Sequence, residues 1–524
     1  MTHSGEENMQ KRMNLRLFEP GMTQLHRVGL AGLYMTLKQL DPAEFEEFGG
    51  WSTHDYGIDF FWRNTPKQLF EPIMDKSFGI NKDGLIDFLV HRRQGLGDFE
   101  RVQMHHAILK SFLQHGRTRK IAKTTSRLSF EYEGKNLHVE IAPMVSYQNQ
   151  SIDNLFNKKG TFPPELKLAG WAFPGGGVRH VGFPSQTILT NNHEKFLCLL
   201  YAPVASLYFL ISCKNSEGKF DKRKGVAIVL PHLKNLEKYH SGYQNYLLSP
   251  VEKLHANNLG DAGLSALTAL NLHQGMLRDL EIDSCTVITL GTIPWAKQQK
   301  TRTAIEQVRA IDRKRLSFFH TASQIFKHKI IIKEDETFYV RTSTVRGLVA
   351  ENIAADRPWF HDFNKIMKSK SLARDTTYEK RGLHAMIHNS STDWPYEEDK
   401  LFVVAIHTAL RNRYGALAAR STAKGERIPF DREFEKIRTS LMRVKNAQTM
   451  RAEIADLFAR GGINKELQQN WAKLLALFTG PDWQKTRDLA LLALASYAGK
   501  GAEQVLDVNT QEIDNNENNG EGNK

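Results

Sequence analysis

The chain has few cysteines, and they lie far apart. Its 524 residues include three of them, Cys198, Cys213 and Cys285. No Cys-x-x-Cys pair occurs, which argues against zinc fingers, zinc ribbons and a disulfide framework. This usage is typical of a protein of the reducing cytoplasm, and we expect that location.

Long hydrophobic runs are also missing. The first 18 residues contain no apolar core of the kind a signal peptide needs. The most apolar stretch, Phe196 to Ile211, is shorter than a membrane span and is interrupted by Pro203. We interpret it as a buried helix followed by a strand.

Motifs of common catalytic sites are absent as well. The sequence contains no GxxxxGK[ST] phosphate loop, no GxSxG elbow and no HExxH helix. His105, His106 and His115 have no carboxylates at metal-ligand spacing, so core or surface positions are favoured for them. His361-Asp362 is an HD dipeptide, but no second His/Asp set accompanies it. We therefore predict a binding protein without metal or cofactor, and an HD-type nuclease is the alternative.

What the chain has in excess is positive charge. Its 71 Lys and Arg residues exceed its 58 Asp and Glu residues, which gives a net charge of +13. A soluble protein this basic usually meets a polyanion, most often nucleic acid. A membrane surface would require a basic amphipathic helix or a lipid anchor, and we find neither.

The positive charge is concentrated in two stretches. From Arg92 to Arg127, nine Lys or Arg residues stand against two acids. The second stretch runs from Lys297 to Lys333 and has a pattern compatible with a helix. A solvated surface is the ordinary explanation of such runs, but the shortage of acids in the first favours phosphate contacts. The candidate phosphate-binding residues are Arg117, Arg119, Lys120, Lys123, Arg127, Lys297, Lys300, Arg302, Arg309, Arg313 and Arg315.

A glycine-rich segment, GWAFPGGGVRHVGFPSQ at 170–186, is the leading candidate for close contact with a ligand. Gly175, Gly176 and Gly177 lack a Cβ, so the backbone there can take positive φ and approach a partner closely. Arg179 and His180 follow directly and could meet phosphates or base edges. A glycine-rich hairpin turn without a ligand is the alternative.

Amide side chains near this segment could donate to the N3 and O2 acceptors of a DNA minor groove. For two of them, in TNNHEKF, helix capping is favoured over base contact. The candidate DNA-contacting residues are Gly175, Gly176, Gly177, Arg179, His180, Gln186, Asn191 and Asn192.

Hydrophobic periodicity predicts a mixed α/β region as far as residue 364. Thr23 is a suitable cap for the first long helix, on which Gly29 and Gly32 indicate a close crossing by another element. Strand-like runs are 15–18, 128–132, 137–141, 166–173, 206–212, 225–230, 285–292, 329–334 and 337–343. Helical patterns are 23–40, 66–78, 99–115, 192–201, 233–246, 262–273 and 345–357.

The C-terminal third has a different character. Five consecutive amphipathic patterns, without a strand among them, predict a helical bundle. They are 397–414, 431–446, 450–459, 465–478 and 482–497. The fold class is therefore α+β, with a mixed α/β body at 1–364, a linker at 365–392, an all-α bundle at 393–506 and a disordered tail at 507–524.

Four blocks of the sequence resemble one known family. They are LRLFEPGMTQLHRVGLAGLYMTL near the start, LCLLYAPVASLYFLIS from Leu197, WAKQQKTRT from Trp295, and VRTSTVRGLVAENIAADRPWF from Val340. The chain resembles the large subunit of type I CRISPR surveillance complexes (Cascade), in a Csx-type, MYXAN-like branch grouped with subtype I-B.

The resemblance implies a non-catalytic subunit of an antiviral ribonucleoprotein. Such a subunit recognises the protospacer-adjacent motif (PAM) of double-stranded DNA, helps to open the duplex, and stabilises the R-loop formed with the crRNA. The implied partners are crRNA, target DNA, the backbone, handle-binding and small subunits of Cascade, and a recruited helicase–nuclease. A Cascade that guides transposition is a close alternative, and a general RNA-binding scaffold is a more distant one.

The resemblance also implies that the helical bundle is similar to the small subunit of such complexes. In some of them, a separate small subunit is made by internal translation. Met367 and Met386 precede the bundle, so either could be such a start.

Overall fold

The computed structural model describes residues 11–93, 95–113, 120–147, 155–168, 190–212, 225–273, 275–277, 280–295, 298–389 and 392–498. At Lys120, 290–295 and 298–303 only the backbone is described. The glycine-rich segment and the predicted disordered tail lie outside the described residues.

The structure confirms the predicted α+β class. The helices are α1 (Gln24–Leu37), α2 (Pro66–Ser77), α3 (Leu89–Arg93), α4 (Asp98–Lys110), α5 (His193–Ala205), α6 (Leu236–Leu247), α7 (Leu259–Asn271), α8 (Arg313–Ile325), α9 (Thr344–Ala354), α10 (Lys370–Tyr378), α11 (Lys380–His388), α12 (Glu397–Ala423), α13 (Phe430–Arg443), α14 (Ala447–Gly461), α15 (Lys465–Thr479) and α16 (Trp483–Ser496).

Strands alternate with helices as far as residue 341. They are β1 (Lys11–Arg16), β2 (Gly49–His54), β3 (Gly57–Trp62), β4 (Lys120–Ile121), β5 (Ser126–Tyr132), β6 (Lys135–Ile141), β7 (Met144–Ser146), β8 (Leu166–Lys167), β9 (Thr190–Asn191), β10 (Leu207–Ile211), β11 (Val226–Pro231), β12 (His255–Ala256), β13 (Leu272–His273), β14 (Met276–Leu277), β15 (Cys285–Trp295), β16 (Gln298–Val308), β17 (Lys329–Ile332) and β18 (Phe338–Arg341).

Contacts divide the chain into two units. Unit 1 comprises the described residues of Met1–Cys213, Asp221–Ser317 and His328–Thr342. Unit 2 comprises those of Phe318–Lys327 and Ser343–Lys524. The candidate nucleic-acid-binding residues that the structure describes all lie in unit 1.

In unit 1, helices α1 and α5 cross in backbone contact. A Cβ on Gly29 would overlap the carbonyl oxygen of Cys198, and one on Gly32 would overlap that of Tyr201. From the first contact to the second, the position advances by three residues along α1 and by three residues along α5. The two helices therefore run in the same direction. This confirms the predicted close crossing, and it explains why α1 carries glycine despite the cost of glycine in a helix.

The main sheet of unit 1 has the strand order β12-β10-β11-β15-β16. Strand β10 pairs in parallel with β12, whereas the other neighbours are antiparallel. Helix α7 lies close to this sheet, because a Cβ on Gly263 would come within 3.0 Å of Val287 and Val308 side chains. The apolar run from Phe196 forms α5 and then β10, as predicted.

Buried tyrosines hold the C-terminal end of α5. Tyr243 on α6 donates its hydroxyl to the carbonyl of Val204 at 2.7 Å, and Tyr239 donates to that of Ala205. Both side chains are fully buried. A buried hydroxyl must find an acceptor, so these bonds fix the end of the helix as well as its packing.

The predicted hairpin at 128–141 is confirmed as β5 and β6. Its two-residue turn has positive φ at Glu133 (49°) and Gly134 (74°), the combination that suits a tight hairpin. Leu137 and Val139 of β6 share a hydrophobic cluster with Ile330 of β17.

Unit 2 contains the predicted bundle. Helix α16 is buried along its length from Leu489 to Ser496 and contacts α12 to α15. A buried ion pair joins α12 to α16, because Lys485 Nζ lies 2.7 Å from an Asp399 carboxylate oxygen. Among the described residues, no helix is long and apolar enough to cross a membrane.

Two segments differ from the predicted secondary structure. The pattern of residues 298–308 is compatible with a helix, but they form β16, because they pair with β15 along their whole length and threonine and aliphatic residues favour strands. Residues 365–392, predicted to be a linker, form α10 and α11. Leu383, Met386 and Ile387 of α11 are buried, so this segment is folded.

The close crossing of α1 and α5 makes Gly29 sensitive to substitution. In Gly29→Ala, the new methyl group would collide with a backbone carbonyl that cannot rotate away. We expect unit 1 to lose about 1–3 kcal/mol of stability, the usual cost of overpacking. Thermal melting of the full chain would show a lower first transition.

Gly415→Ala is the matched control. Gly415 is at an exposed position of α12 with nothing within 4 Å of its Cβ position, so alanine there should be neutral or slightly stabilising. Equal melting curves for the two variants would contradict the crossing.

Candidate nucleic-acid interface

The two ends of the glycine-rich segment are held side by side. Strand β8 precedes the segment and β9 follows it, and the two strands pair, with Leu166 opposite Asn191 and Lys167 opposite Thr190. The chain therefore leaves and returns at one place on unit 1. Gly175, Gly176, Gly177, Arg179, His180 and Gln186 themselves lie outside the described residues.

Two helix N-termini meet at this place. Thr23 caps α1, and Asn192 caps α5 by accepting from the Lys195 backbone N–H at 3.0 Å. The buried ring of His26 joins them, since its Nδ1 accepts from the Thr23 backbone N–H (3.2 Å) and its Nε2 lies 2.9 Å from the Asn191 amide group. The caps thus place both N-termini beside the β8–β9 pair.

The electrostatics of this place favour an anion. Burial, with a smaller contribution from Lys195, lowers the pKa of His26 to about 4, so this ring is neutral at physiological pH. The Lys195 ammonium group lies close by, since its Nζ is 2.6 Å from the point that a Cβ on Gly21 would occupy. The N-termini of α1 and α5 add partial positive charge, and Glu194 offsets part of it.

Asn191 and Asn192 have structural partners here. The Asn192 amide group donates to Glu194 Oε2 at 2.7 Å while its oxygen caps α5, and Asn191 meets His26. The capping role that the sequence favours is thus seen at Asn192. A DNA contact by either residue stays a prediction.

The C-terminal end of the first basic stretch leads into strand β5 of the β5–β6 hairpin. Arg117 and Arg119 lie outside the described residues, Lys120 is on β4, and Lys123 and Arg127 are exposed. The register of β5 and β6 places Arg127 opposite Glu140. This acidic neighbour is 13 residues away in the sequence, so the count of charges in the basic stretch did not include it.

Part of the second basic stretch lies on a two-stranded ribbon. Strand β11 pairs with β15 only from Cys285 to Leu290, whereas β15 and β16 continue pairing to Trp295 and Gln298. In the described part of the chain, the outer half of this hairpin is a ribbon of two strands. Lys300 stands opposite Ile293, and Arg302 stands opposite Gly291 on this outer half.

The remaining basic candidates lie at the other end of β16. Arg309 directly follows β16, and Arg313 and Arg315 are in the first turn of α8. Arg309 is seven residues from Arg302, or about 24 Å along an extended strand. Although the sequence of this stretch is compatible with a helix, Arg302, Arg309 and Arg313 therefore do not lie on one helix. Lys297 lies outside the described residues.

Neither histidine motif assembles a catalytic centre among the described residues. His105 accepts from the Ile86 backbone N–H (3.2 Å) and lies 3.1 Å from the Ala142 carbonyl oxygen, so it serves the core. His361 lies 3.7 Å from Asp362, which pairs with Lys365 at 3.0 Å. No group of three possible metal ligands in the described ranges includes His361 or Asp362.

Comparison with known proteins places these features in a family. The model of the DevT N-terminal domain matches residues 14–200, and that of the DevT C-terminal domain matches residues 389–521. The CRISPR-associated protein Cas8a1/Csx13 of Myxococcus xanthus (strain DK1622) is 27% identical over 533 residues, covering 94% of this chain and 89% of the relative. The chain is a CRISPR large subunit of the Cascade type.

The DevT matches follow the architecture of the chain. The N-terminal match contains α1, the first part of α5, the first basic stretch and the glycine-rich segment, whereas the C-terminal match contains the bundle α12–α16. The family resemblance of the sequence is thus confirmed. His26 was missed as part of the candidate site, because 165 residues separate it from its partner Asn191. Lys195 was also missed, although it is only three residues from Asn192.

Substitution of Asn192 separates capping from DNA contact. Asn192→Ala should cost about 1 kcal/mol through loss of the cap of α5, whereas Asn192→Ser should keep the cap and the melting temperature. Melting curves of the full chain measure both. If both variants melt like the wild type but bind DNA less selectively, a base contact is the better explanation.

Proposed function

We propose that this large subunit recognises the PAM on double-stranded target DNA and helps to open the duplex within a crRNA-guided type I complex of I-B-like subtype. The observation that carries the proposal is the β8–β9 pair, which brings the residues that flank the glycine-rich segment together beside two helix N-termini and Lys195. Three adjacent glycines, in a segment whose two ends lie beside this partial positive charge, suit close approach to a DNA backbone.

Recognition would combine close approach with a few polar contacts. Glycines at 175–177 let the main chain enter a narrow groove, and Arg179 and His180 can then reach base edges or phosphates. In guided complexes the protein needs to read only the short PAM, because base pairing with the crRNA reads the rest of the target. The segment is long enough for such a short readout.

Phosphate contacts would come from the basic stretches. A two-stranded ribbon fits the major groove, and positive residues on it can follow a strand backbone. Lys300 and Arg302 belong to the outer half of the β15–β16 hairpin. This placement supports a role for the ribbon in holding the opened strands of the R-loop.

The subunit would act without catalysis and recruit a helicase–nuclease after R-loop formation. Its assembly partners are crRNA and the backbone, handle-binding and small subunits of Cascade, in antiviral defence or in guided transposition. The bundle would support the R-loop in the manner of a small subunit. An internal start at Met367 would keep α10 and α11 with the bundle, whereas a start at Met386 would remove α10 and most of α11.

Variants in the glycine-rich segment test PAM recognition. Arg179→Ala and Gly176→Val should weaken binding to a correct-PAM duplex by about tenfold or more, because a base contact is worth about 1–3 kcal/mol. Gel shifts with the assembled complex on correct-PAM and incorrect-PAM duplexes measure this. Lys159→Ala, an exposed change elsewhere in unit 1, is the control and should bind as the wild type does. Unchanged PAM discrimination in both segment variants would refute the assignment.

The ribbon is tested by the salt dependence of binding. Removing two phosphate contacts in Lys300→Ala/Arg302→Ala should reduce the slope of log affinity against log salt by about 2, equally for correct and incorrect PAMs. Lys158→Ala/Lys159→Ala removes the same charge from an exposed loop of unit 1 and should leave the slope unchanged. If the two double variants give the same slope, the ribbon does not contact phosphates.

A further inference from the structure

Three histidines of unit 2 come together although they are distant in the sequence. His384 and His388 are four residues apart on α11, so they share one face of that helix. His407 is on α12. One ring nitrogen from each lies within 4.8 Å of the other two. The ring centroids of His384 and His388 are 4.5 Å apart, and that of His407 is 5.7 Å from His384.

The hydrogen bonds of His407 leave a lone pair for a metal. Its Nε2 lies 3.1 Å from the Ala493 carbonyl oxygen and 2.9 Å from Ser496 Oγ, both on α16. A carbonyl can only accept, so Nε2 carries the ring proton and Nδ1 carries the lone pair. A histidine that donates to a backbone carbonyl through one nitrogen and binds a metal through the other is the usual arrangement of a metal ligand.

We propose that His384, His388 and His407 form a binding site for a divalent transition metal of the zinc type, which joins α11 to α12. Zinc accepts three imidazole ligands with a water molecule in the fourth position, at Zn–N distances of about 2.0–2.1 Å. Tetrahedral geometry then requires the nitrogens to be about 3.3 Å apart. The present spacing needs closure by up to about 1.5 Å, which side-chain rotation on α11 can supply.

The choice of metal follows from the ligands. Imidazole nitrogen suits zinc, copper, nickel and iron, whereas calcium and magnesium prefer oxygen. His388 is exposed and His384 is half-buried, so an ion and a water molecule can reach the site from solvent. His407 is buried, and its bond to α16 holds the inner ligand in place. The site is independent of the PAM proposal, because its residues lie outside every candidate DNA-binding group.

Metal binding by the full chain tests the site. The protein is purified without a polyhistidine tag, stripped with a chelator and dialysed against Zn²⁺, and Co²⁺ serves as a visible-absorption probe of coordination. We expect one equivalent of Zn²⁺, a d–d absorption band with Co²⁺, and a melting temperature that rises by several degrees with Zn²⁺. Less than half an equivalent of Zn²⁺ in the wild-type protein would overturn the proposal.

Two variants locate the metal. His388→Ala changes an exposed side chain, so it should fold as the wild type does but bind Zn²⁺ at least about tenfold more weakly. His361→Ala removes an exposed histidine elsewhere in unit 2 and should bind Zn²⁺ normally. Circular dichroism and melting without metal verify folding of both. Stoichiometric Zn²⁺ binding that persists in His384→Ala/His388→Ala would mean that the three rings only pack together.

Discussion

The backbone contact between α1 and α5 is the constraint on which the candidate interface depends. Glycine at 29 and 32 lets α1 approach until its surface meets the carbonyl oxygens of α5. Because the helices run in the same direction, their N-termini end at the same place. The caps at Thr23 and Asn192 and the ring of His26 can meet only after that approach, and β9 directly precedes α5.

The same arrangement concentrates positive charge beside the candidate interface. Helix N-termini supply partial positive charge that costs no ionised side chain, and Lys195 adds a full charge beside them. His26 remains neutral through burial, so it acts as a hydrogen-bonded spacer at neutral pH. The fully charged candidates are placed elsewhere in unit 1, at the start of the β5–β6 hairpin and along the β15–β16 hairpin. Different parts of the unit thus carry positive charge in different forms.

Local patterns predicted much of the fold, with instructive exceptions. Runs with strong periodicity, such as 193–205 and 483–496, became helices close to their predicted bounds. The stretch 298–308 is permissive for either state, and pairing with β15 decided it as a strand. In 365–392, a polar composition hid the apolar residues 372, 383, 386 and 387, whose helical spacing is visible only once the neighbouring bundle covers them. For the site, the glycine-rich segment and the charged runs were found from sequence, but their neighbours were not.

By itself, the sequence determined the α+β class and the C-terminal bundle, because these depend on local periodicity. It also determined the close helix crossing from the placement of glycines, and the family from ordered blocks of residues. Only the tertiary structure decided which distant residues meet. His26 joins Asn191, β8 joins β9, and His384 and His388 join His407, each across a separation that no spacing rule spans. Such contacts arise when helices and strands pack, and packing depends on the whole chain at once.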